Sequence, residues 1–314
     1  MHILITGSSG QIGTNLALRL LAEGHEVLGV DIRANTWTDR IPAGEMDLTQ
    51  PCSVQLAEML KATKSDVLVH LAAHAKVHEL VRNPSRALEN VVMHFQALEA
   101  ARLAEVPLVV GSSREVYGDI HRHVTDESCA DFVIAESPYS AGKIAAEAFT
   151  YSYEECYGLP YLVFRFSNVY GRYDNDLDRM ERVVPLFIDR ISKRLPIVVY
   201  GAEKVLDFTY IDDCVEGIAR GIDALASGRV KNETVNLACG VGNSLETLAG
   251  LIAGVLDVDP EIEFRPTNPG EVTRYVADIA KARELLGYIP RTPLEEGIAK
   301  AIAWASESAS QPAK

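Results

Sequence analysis

Short runs of apolar and β-branched residues recur through the first half of the chain: HILIT from His2, EVLGVD from Glu26, DVLVHLA from Asp66, PLVVGS from Pro107 and YLVFRF from Tyr161. Between them lie stretches whose apolar positions return every three to four residues, as in SRALENVVMHFQALEAARLA from Ser85. The first pattern predicts buried strands and the second amphipathic helices. Strands that alternate with helices imply βαβ crossovers, and so an α/β protein with a doubly wound parallel sheet. After Asn168 the rhythm loosens. The polar GRYDNDLDRMERVVP is followed by IVVYG, by DFTYIDD turning into a helix, by VNLACG, and by EIEFRP with the ARELLG helix. The expected organisation is a Rossmann-type dinucleotide-binding domain over residues 1–167 with part of 206–255. A smaller, interleaved α/β substrate domain takes 168–205 and 256–314.

A chain of 314 residues, 47% hydrophobic, can bury a large core. Its net charge of −14 argues against nucleic acid or an anionic membrane as partner, because phosphate-rich surfaces are met by basic patches. An anionic ligand must then be held locally. The five cysteines, Cys52, Cys129, Cys156, Cys214 and Cys239, are odd in number and contain no CxxC pair, so neither a disulfide framework nor a metal site is expected, only buried thiols. The chain opens directly on a strand, and no window approaches about 18 uninterrupted apolar residues. A cytoplasmic protein is the expectation.

Candidate chemistry begins at TGSSGQIG. Gly7, Gly10 and Gly13, with Gln11 and Ile12 between them, join a predicted strand to a predicted helix, where backbone can approach a pyrophosphate and the helix N-terminus favours negative charge. Asp31 ends the next strand, where a carboxylate can bond a ribose diol. It would repel a 2′-phosphate, which favours NAD; Arg33, beyond Ile32, keeps the phosphorylated cofactor open as the alternative. In YSAGK, Tyr139 and Lys143 are four apart on a predicted helix and share one face. A phenol near pKa 10 becomes a base at neutral pH only if phenolate is favoured by about 4 kcal/mol. An ammonium and a cationic nicotinamide ring are the expected sources. Ser113, at a strand end, would hydrogen-bond the substrate oxygen. A dinucleotide-binding protein without turnover would need the glycines but not Tyr139 with Lys143.

TGSSGQIG, Asp31, HLAA, SSREVYG, YSAGK and RFSNVYG, in that order, resemble the extended short-chain dehydrogenase/reductase family, and within it the nucleotide-sugar epimerases and dehydratases. The resemblance covers nearly the whole chain. It implies bound NAD, transient oxidation of a sugar at carbon 4, and catalysis by Ser113, Tyr139 and Lys143. It places Asp47 and Leu48 beside the adenine, with Leu71, Ala72, Ala73, Asn90 and Phe166 along the rest of the cofactor. Tyr117 matches a position that is not the base and is expected to pack. Asn168, Val183, Val184 and Pro185, Val198 and Tyr200 match positions that cradle a nucleotide base and diphosphate, and Glu271 resembles an acid that holds the nucleotide's ribose. Helices over Ser85–Ala104 and Tyr139–Tyr157 resemble the pair that builds a homodimer.

Two departures stand out. Leu206 and Asn268 occupy positions where the family commonly has arginines. A diphosphate without cations is costly to bury, so Arg274, Arg172, Arg182 or Lys204 is expected to substitute. The residues after Ser113 are Arg114 and Glu115, where dehydratases of the family carry an acid pair. Glu115 could remove a carbon-5 proton, as dehydratase or decarboxylase chemistry requires, but Arg114 cannot protonate a leaving group. The two could instead simply pair near the rim. A 4-epimerase needs neither and is the favoured reading, with lyase chemistry as its alternative. His74, Lys76 and His78, after HLAA, are either sugar contacts or rim residues. The polar loop Tyr173 to Glu181, with Asp174, Asp176 and Asp178, lacks the spacing of a calcium site and is expected to form a mobile lid over the nucleotide.

Overall fold

Each β-rich run of the first half becomes a strand of a single parallel sheet. The computed structural model describes residues 1–117, 135–174, 177, 182–267 and 271–309. Its elements begin β1 (His2–Thr6), α1 (Gln11–Ala22), β2 (Glu26–Asp31), β3 (Ala43–Glu45), α2 (Ser53–Ala62), β4 (Val67–His70), α3 (Val77–Arg82), α4 (Ser85–Ala104) and β5 (Leu108–Ser113). A 3-10 turn over Arg114–Tyr117, α5 (Pro138–Tyr157) and β6 (Tyr161–Phe166) follow. The later elements are β7 (Asn168–Tyr170), α6 (Val183–Ser192), β8 (Ile197–Tyr200), β9 (Val205–Tyr210), α7 (Ile211–Ala226), β10 (Glu233–Leu237), β11 (Gly242–Ser244), α8 (Leu245–Leu256), β12 (Ile262–Arg265), β13 (Arg274–Tyr275), α9 (Ala280–Leu286) and α10 (Leu294–Ala309).

The main sheet runs β10-β6-β5-β4-β1-β2-β3, all parallel. Helices cover both faces, so β4, β5 and β6 are buried at every position and do not alternate apolar with polar residues. The strand order reverses between β1 and β4, which opens a crevice beyond their carboxyl ends. Thr6 pairs with both Val30 and His70, and Ser113 with Phe166. Gly7, Leu71 and the residues after Ser113 therefore emerge along one edge.

After β6 the chain leaves this sheet and returns to it. β7, β9, β11 and β13 form a second sheet, β8 pairs with β12, and α6, α8 and α10 pack around them. α7 packs on α1 and β6, β10 completes the main sheet, and α9 packs on α7 and β10. Three-residue β3 carries too little pattern to be read from sequence; β2 alone pairs with it.

α5 starts where its chemistry predicts. Ser137 caps it, accepting from the Ser140 amide while the Ser140 hydroxyl accepts from the Ser137 amide, and Pro138 fills the first turn. Gly158, at φ 67°, ends it. One turn below Lys143, Glu147 meets Arg165 of β6 at 2.7 Å, with both side chains 5% exposed. Ser112 and Tyr151 also donate to this carboxylate. The thiols divide: Cys52 and Cys214 are buried, but Cys156 near the end of α5 is exposed, contrary to expectation, and Cys129 lies outside the described residues. Among the described residues no helix is long and apolar enough to cross a membrane, and no His/Cys/Asp/Glu group could hold a metal ion.

Breaking a buried pair leaves one charge uncompensated, which costs about 3–5 kcal/mol. Arg165→Leu is therefore expected to lower the urea midpoint by that equivalent, and Arg165→Leu with Glu147→Leu to recover much of it. An unchanged midpoint in the single variant would show that Glu147 is satisfied without Arg165.

Candidate active site

The glycine turn between β1 and α1 is built by close approach. Gly7 has φ 76°, and a Cβ there would lie 2.6 Å from the Ala72 amide nitrogen; one on Gly13 would lie 2.2 Å from the Gly7 carbonyl. Only hydrogen fits, so α1 begins directly beneath the crevice. Asp31 accepts from the Ser9 amide at 3.0 Å and from the Arg33 amide at 3.3 Å, which fixes its carboxylate beside the turn. Gln11 Nε2 is buried there without a hydrogen-bond partner among the described residues. Bare backbone at a helix start, an oriented carboxylate and an unsatisfied amide donor fit a dinucleotide: the turn for the pyrophosphate, Asp31 for the adenosine ribose.

One cavity of about 1010 Å³ runs from this turn to the second sheet. It is lined by Gly7, Gly10, Gln11, Ile12, Gly13, Asp31, Ile32, Arg33, Asp47, Leu48, Leu71, Ala72, Ala73 and Phe166 on the cofactor side. Ser113, Glu115, Tyr139 and Lys143 line it too, as do Lys76, Asn168, Val183, Val184, Val198, Tyr200 and Glu271. Three expected residues do not, Pro185 among them. Asn90 lies behind the wall, accepting from the His74 amide at 2.7 Å and donating to the His74 carbonyl at 3.0 Å, so it shapes the loop after β4. Arg274 opens β13, outside the lining. His74 lines the wall and bonds Glu89 at 2.9 Å. Tyr117 packs as expected, stacked on Tyr275 and donating to Asn236 at 2.9 Å.

Tyr139 is 7% exposed, and the neighbouring Ser113 hydroxyl favours its phenolate. Lys143 Nζ lies 6.0 Å from the phenol ring centroid and donates to the Gly111 carbonyl at 2.8 Å. In the chain alone, burial outweighs the groups that lower the phenol. Burial pushes it up to about 12, against the Ser113 bond and the nearby Arg182 and Arg114 charges. Burial also pulls Lys143 down to about 8, opposed by Glu147. Both shifts have one cause, the cost of a charge in an apolar surround.

Arg114 and Glu115 pair at 3.1 Å, inside the cavity rather than at its rim. Arg114 also donates to Asn168 at 3.2 Å and lies over the Tyr275 ring. Burial raises the Glu115 carboxyl above its usual range, with Arg114 and Lys204 opposing; its Oε2 has no hydrogen-bond partner among the described residues. Of the four cations expected to replace the missing arginines, two reach the cavity. Lys204 bonds Glu271 at 2.5 Å, and Arg182 pairs with Asp174 at 3.3 Å and bonds Gln11. Arg172 instead holds Asp212 at 2.5 Å. Leu206 lines the wall, whereas Asn268, Asp176 and Asp178 lie outside the described residues. Tyr173 also lines it, as does Trp37, which sequence reasoning missed. A bulky aromatic shortly after the ribose acid was the available signal.

Residues 3–238 match the NAD dependent epimerase/dehydratase family. A UDP-glucose 4-epimerase of Mycolicibacterium smegmatis is 33% identical over 312 residues, covering 96% of this chain and 97% of that one. UDP-glucuronic acid decarboxylase 1 of Xenopus tropicalis is 31% identical over 320 residues, covering 96% of this chain and 71% of that one. The Thermus thermophilus UDP-glucose 4-epimerase, solved in complex with NAD, superposes with a TM-score of 0.87 at 28% identity, over 97% of this chain and 98% of that one.

A lysine whose pKa falls to about 8 loses its charge as the pH rises through that value. If the ammonium assists proton transfer, kcat/KM should decline on the alkaline side with a midpoint near 8. A profile flat through that region would show that the Lys143 charge is not needed.

Proposed function

The chain belongs to the NAD dependent epimerase/dehydratase family, and we propose that it inverts carbon 4 of a nucleotide-diphosphate sugar through a transient 4-keto sugar with recycled NAD. The observation that carries this reading is that Ser113, Tyr139 and Lys143, the last 6.0 Å from the phenol ring centroid, line the same cavity as the glycine turn. When bound, NAD supplies the hydride acceptor and donor and, oxidised, a positive charge beside the phenol. That charge matters, because bringing a phenol from about 12 to neutrality takes about 7 kcal/mol beyond what Ser113 and the two arginines already supply. Tyr139 then takes the proton of the 4-hydroxyl, with Ser113 holding that oxygen, and Lys143 stabilises the phenolate. The keto sugar, trigonal only at carbon 4, turns over in the cavity to present its other face for hydride return, and Tyr139 returns the proton. No second acid or base is needed.

For the substrate, Lys204 and Arg182 hold the diphosphate, Glu271 the nucleotide ribose, and Val183, Val184, Val198 and Tyr200 the base. Asn168 is oriented by Arg114 and by its own donation to the Asp207 carbonyl at 3.0 Å. UDP-sugars are the class named for the relatives. A lyase remains the second reading, favoured by the raised and partly unsatisfied Glu115. The assembly is a homodimer through α4 and α5, which leave Leu88, Phe95 and Phe149 exposed. It works in the cytoplasm, where the exposed Cys156 thiol stays reduced.

Tyr139→Phe should lower kcat by about 10²–10⁴-fold while the protein keeps its dinucleotide, and the wild-type product should have the substrate's mass. Loss of water or carbon dioxide, abolished by Glu115→Gln, would replace the epimerase with a lyase. Lys204→Ala should raise KM for the UDP-sugar by about tenfold or more and Arg172→Ala should not; the reverse order would refute the diphosphate assignment.

A further inference from the structure

Three aromatic rings from distant parts of the chain meet at the dinucleotide end of the cavity, and the reaction uses none of them. Trp37 lies in the connection between β2 and β3, Tyr173 follows β7, and Trp304 is on α10. Ring centroids are 5.7 Å apart for Trp37 and Tyr173, 5.9 Å for Trp37 and Trp304, and 5.5 Å for Tyr173 and Trp304. The rings are tilted or edge-on, the arrangements that ring quadrupoles favour. Trp37 and Tyr173 line the cavity; Trp304 does not, and backs both.

Each ring is delivered by its own anchor. Asn35 ties the Trp37 loop to the glycine turn: its amide donates to the Ser8 carbonyl at 3.2 Å and to the Thr14 hydroxyl at 2.8 Å, and its oxygen accepts from the Trp37 amide at 2.9 Å. Tyr173 sits at φ 61°, a left-handed conformation that an L residue adopts only under constraint. Beside it, Asp174 and Arg182 lead back to Gln11 of the glycine turn. Trp304 arrives on α10, which packs on α8 and β9. Two segments thus flank the turn, and a third, from the far half of the molecule, fastens them together.

We propose that Trp37, Tyr173 and Trp304 form a retention clamp for NAD, in which α10, through Trp304, holds the other two rings across the dinucleotide end and sets how slowly the cofactor escapes. This rests on the assignment of that cleft to NAD. A reaction that uses the same cofactor twice fails whenever it departs between the two halves, so slow escape serves turnover without any contact to the reacting atoms. The three side chains are positioning residues.

Both tryptophans of the chain lie in the cluster, so tryptophan emission and its energy transfer to bound NADH report on it directly. The test loads the full chain with NADH, chases with excess NAD and follows the loss of energy transfer, with bound dinucleotide counted by native mass spectrometry. Trp304→Ala should release NADH on the order of tenfold faster than wild type, and its turnover should become dependent on added NAD. Trp304→Phe, which keeps a ring in place, should stay near wild type. Trp37→Ala, read through Trp304, gives the same answer from the other side should Trp304→Ala fail to fold. Release at the wild-type rate in both alanine variants overturns the clamp and leaves the NAD assignment standing. A wild-type protein that retains no dinucleotide at all overturns both.

Discussion

The apolar surround of Tyr139 and Lys143 penalises charge on both, and the whole site is arranged around that penalty. The phenol stands near 12 and the ammonium near 8, each displaced toward its neutral form. On the proposed mechanism the phenol stays neutral until further positive charge enters the cleft, which couples its proton transfer to oxidised cofactor, while the same charge works against the ammonium. The buried Glu147, one turn below Lys143 and neutralised by Arg165, tempers the effect by favouring the ammonium. A fully solvated pair would be charged more readily but would not discriminate between loaded and empty states.

Much of this was legible in the residue pattern because the chemistry depends on local spacing. The capped start of α5 puts Tyr139 and Lys143 on one face, and the three glycines mark a turn where only hydrogen fits. What escaped has a physical reason. Asn90 and Leu71 look alike as members of a recognised pattern, yet one lies behind the wall and one on it, and only tertiary packing decides. Four cations were candidates for the diphosphate; Arg172 is diverted by Asp212 across the fold, a pairing with no trace in sequence. The aromatic cluster joins residues 37, 173 and 304, which no local window can bring together.

The missing arginine at Leu206 has a local explanation. Lys204 precedes it by two positions, and in extended chain residues two apart face the same side. Both side chains line the cavity, so Lys204 offers a cation next to the position the family gives to arginine. Lys204 is also 6% exposed and tied to Glu271, so its charge is presented within a low-dielectric recess rather than waving in solvent.

The path of the chain after β6 has a further consequence. The elements around the second sheet come from three separate stretches, β7 to β9, β11 to β13, and α10, because α7 with β10 and then α9 return to the main sheet between them. Such a layout resists modular exchange. A substrate half borrowed from a relative could not be spliced in as one cassette; every junction would have to be regrafted in register, so new sugar preferences should arise by point changes along the cavity wall rather than by recombination.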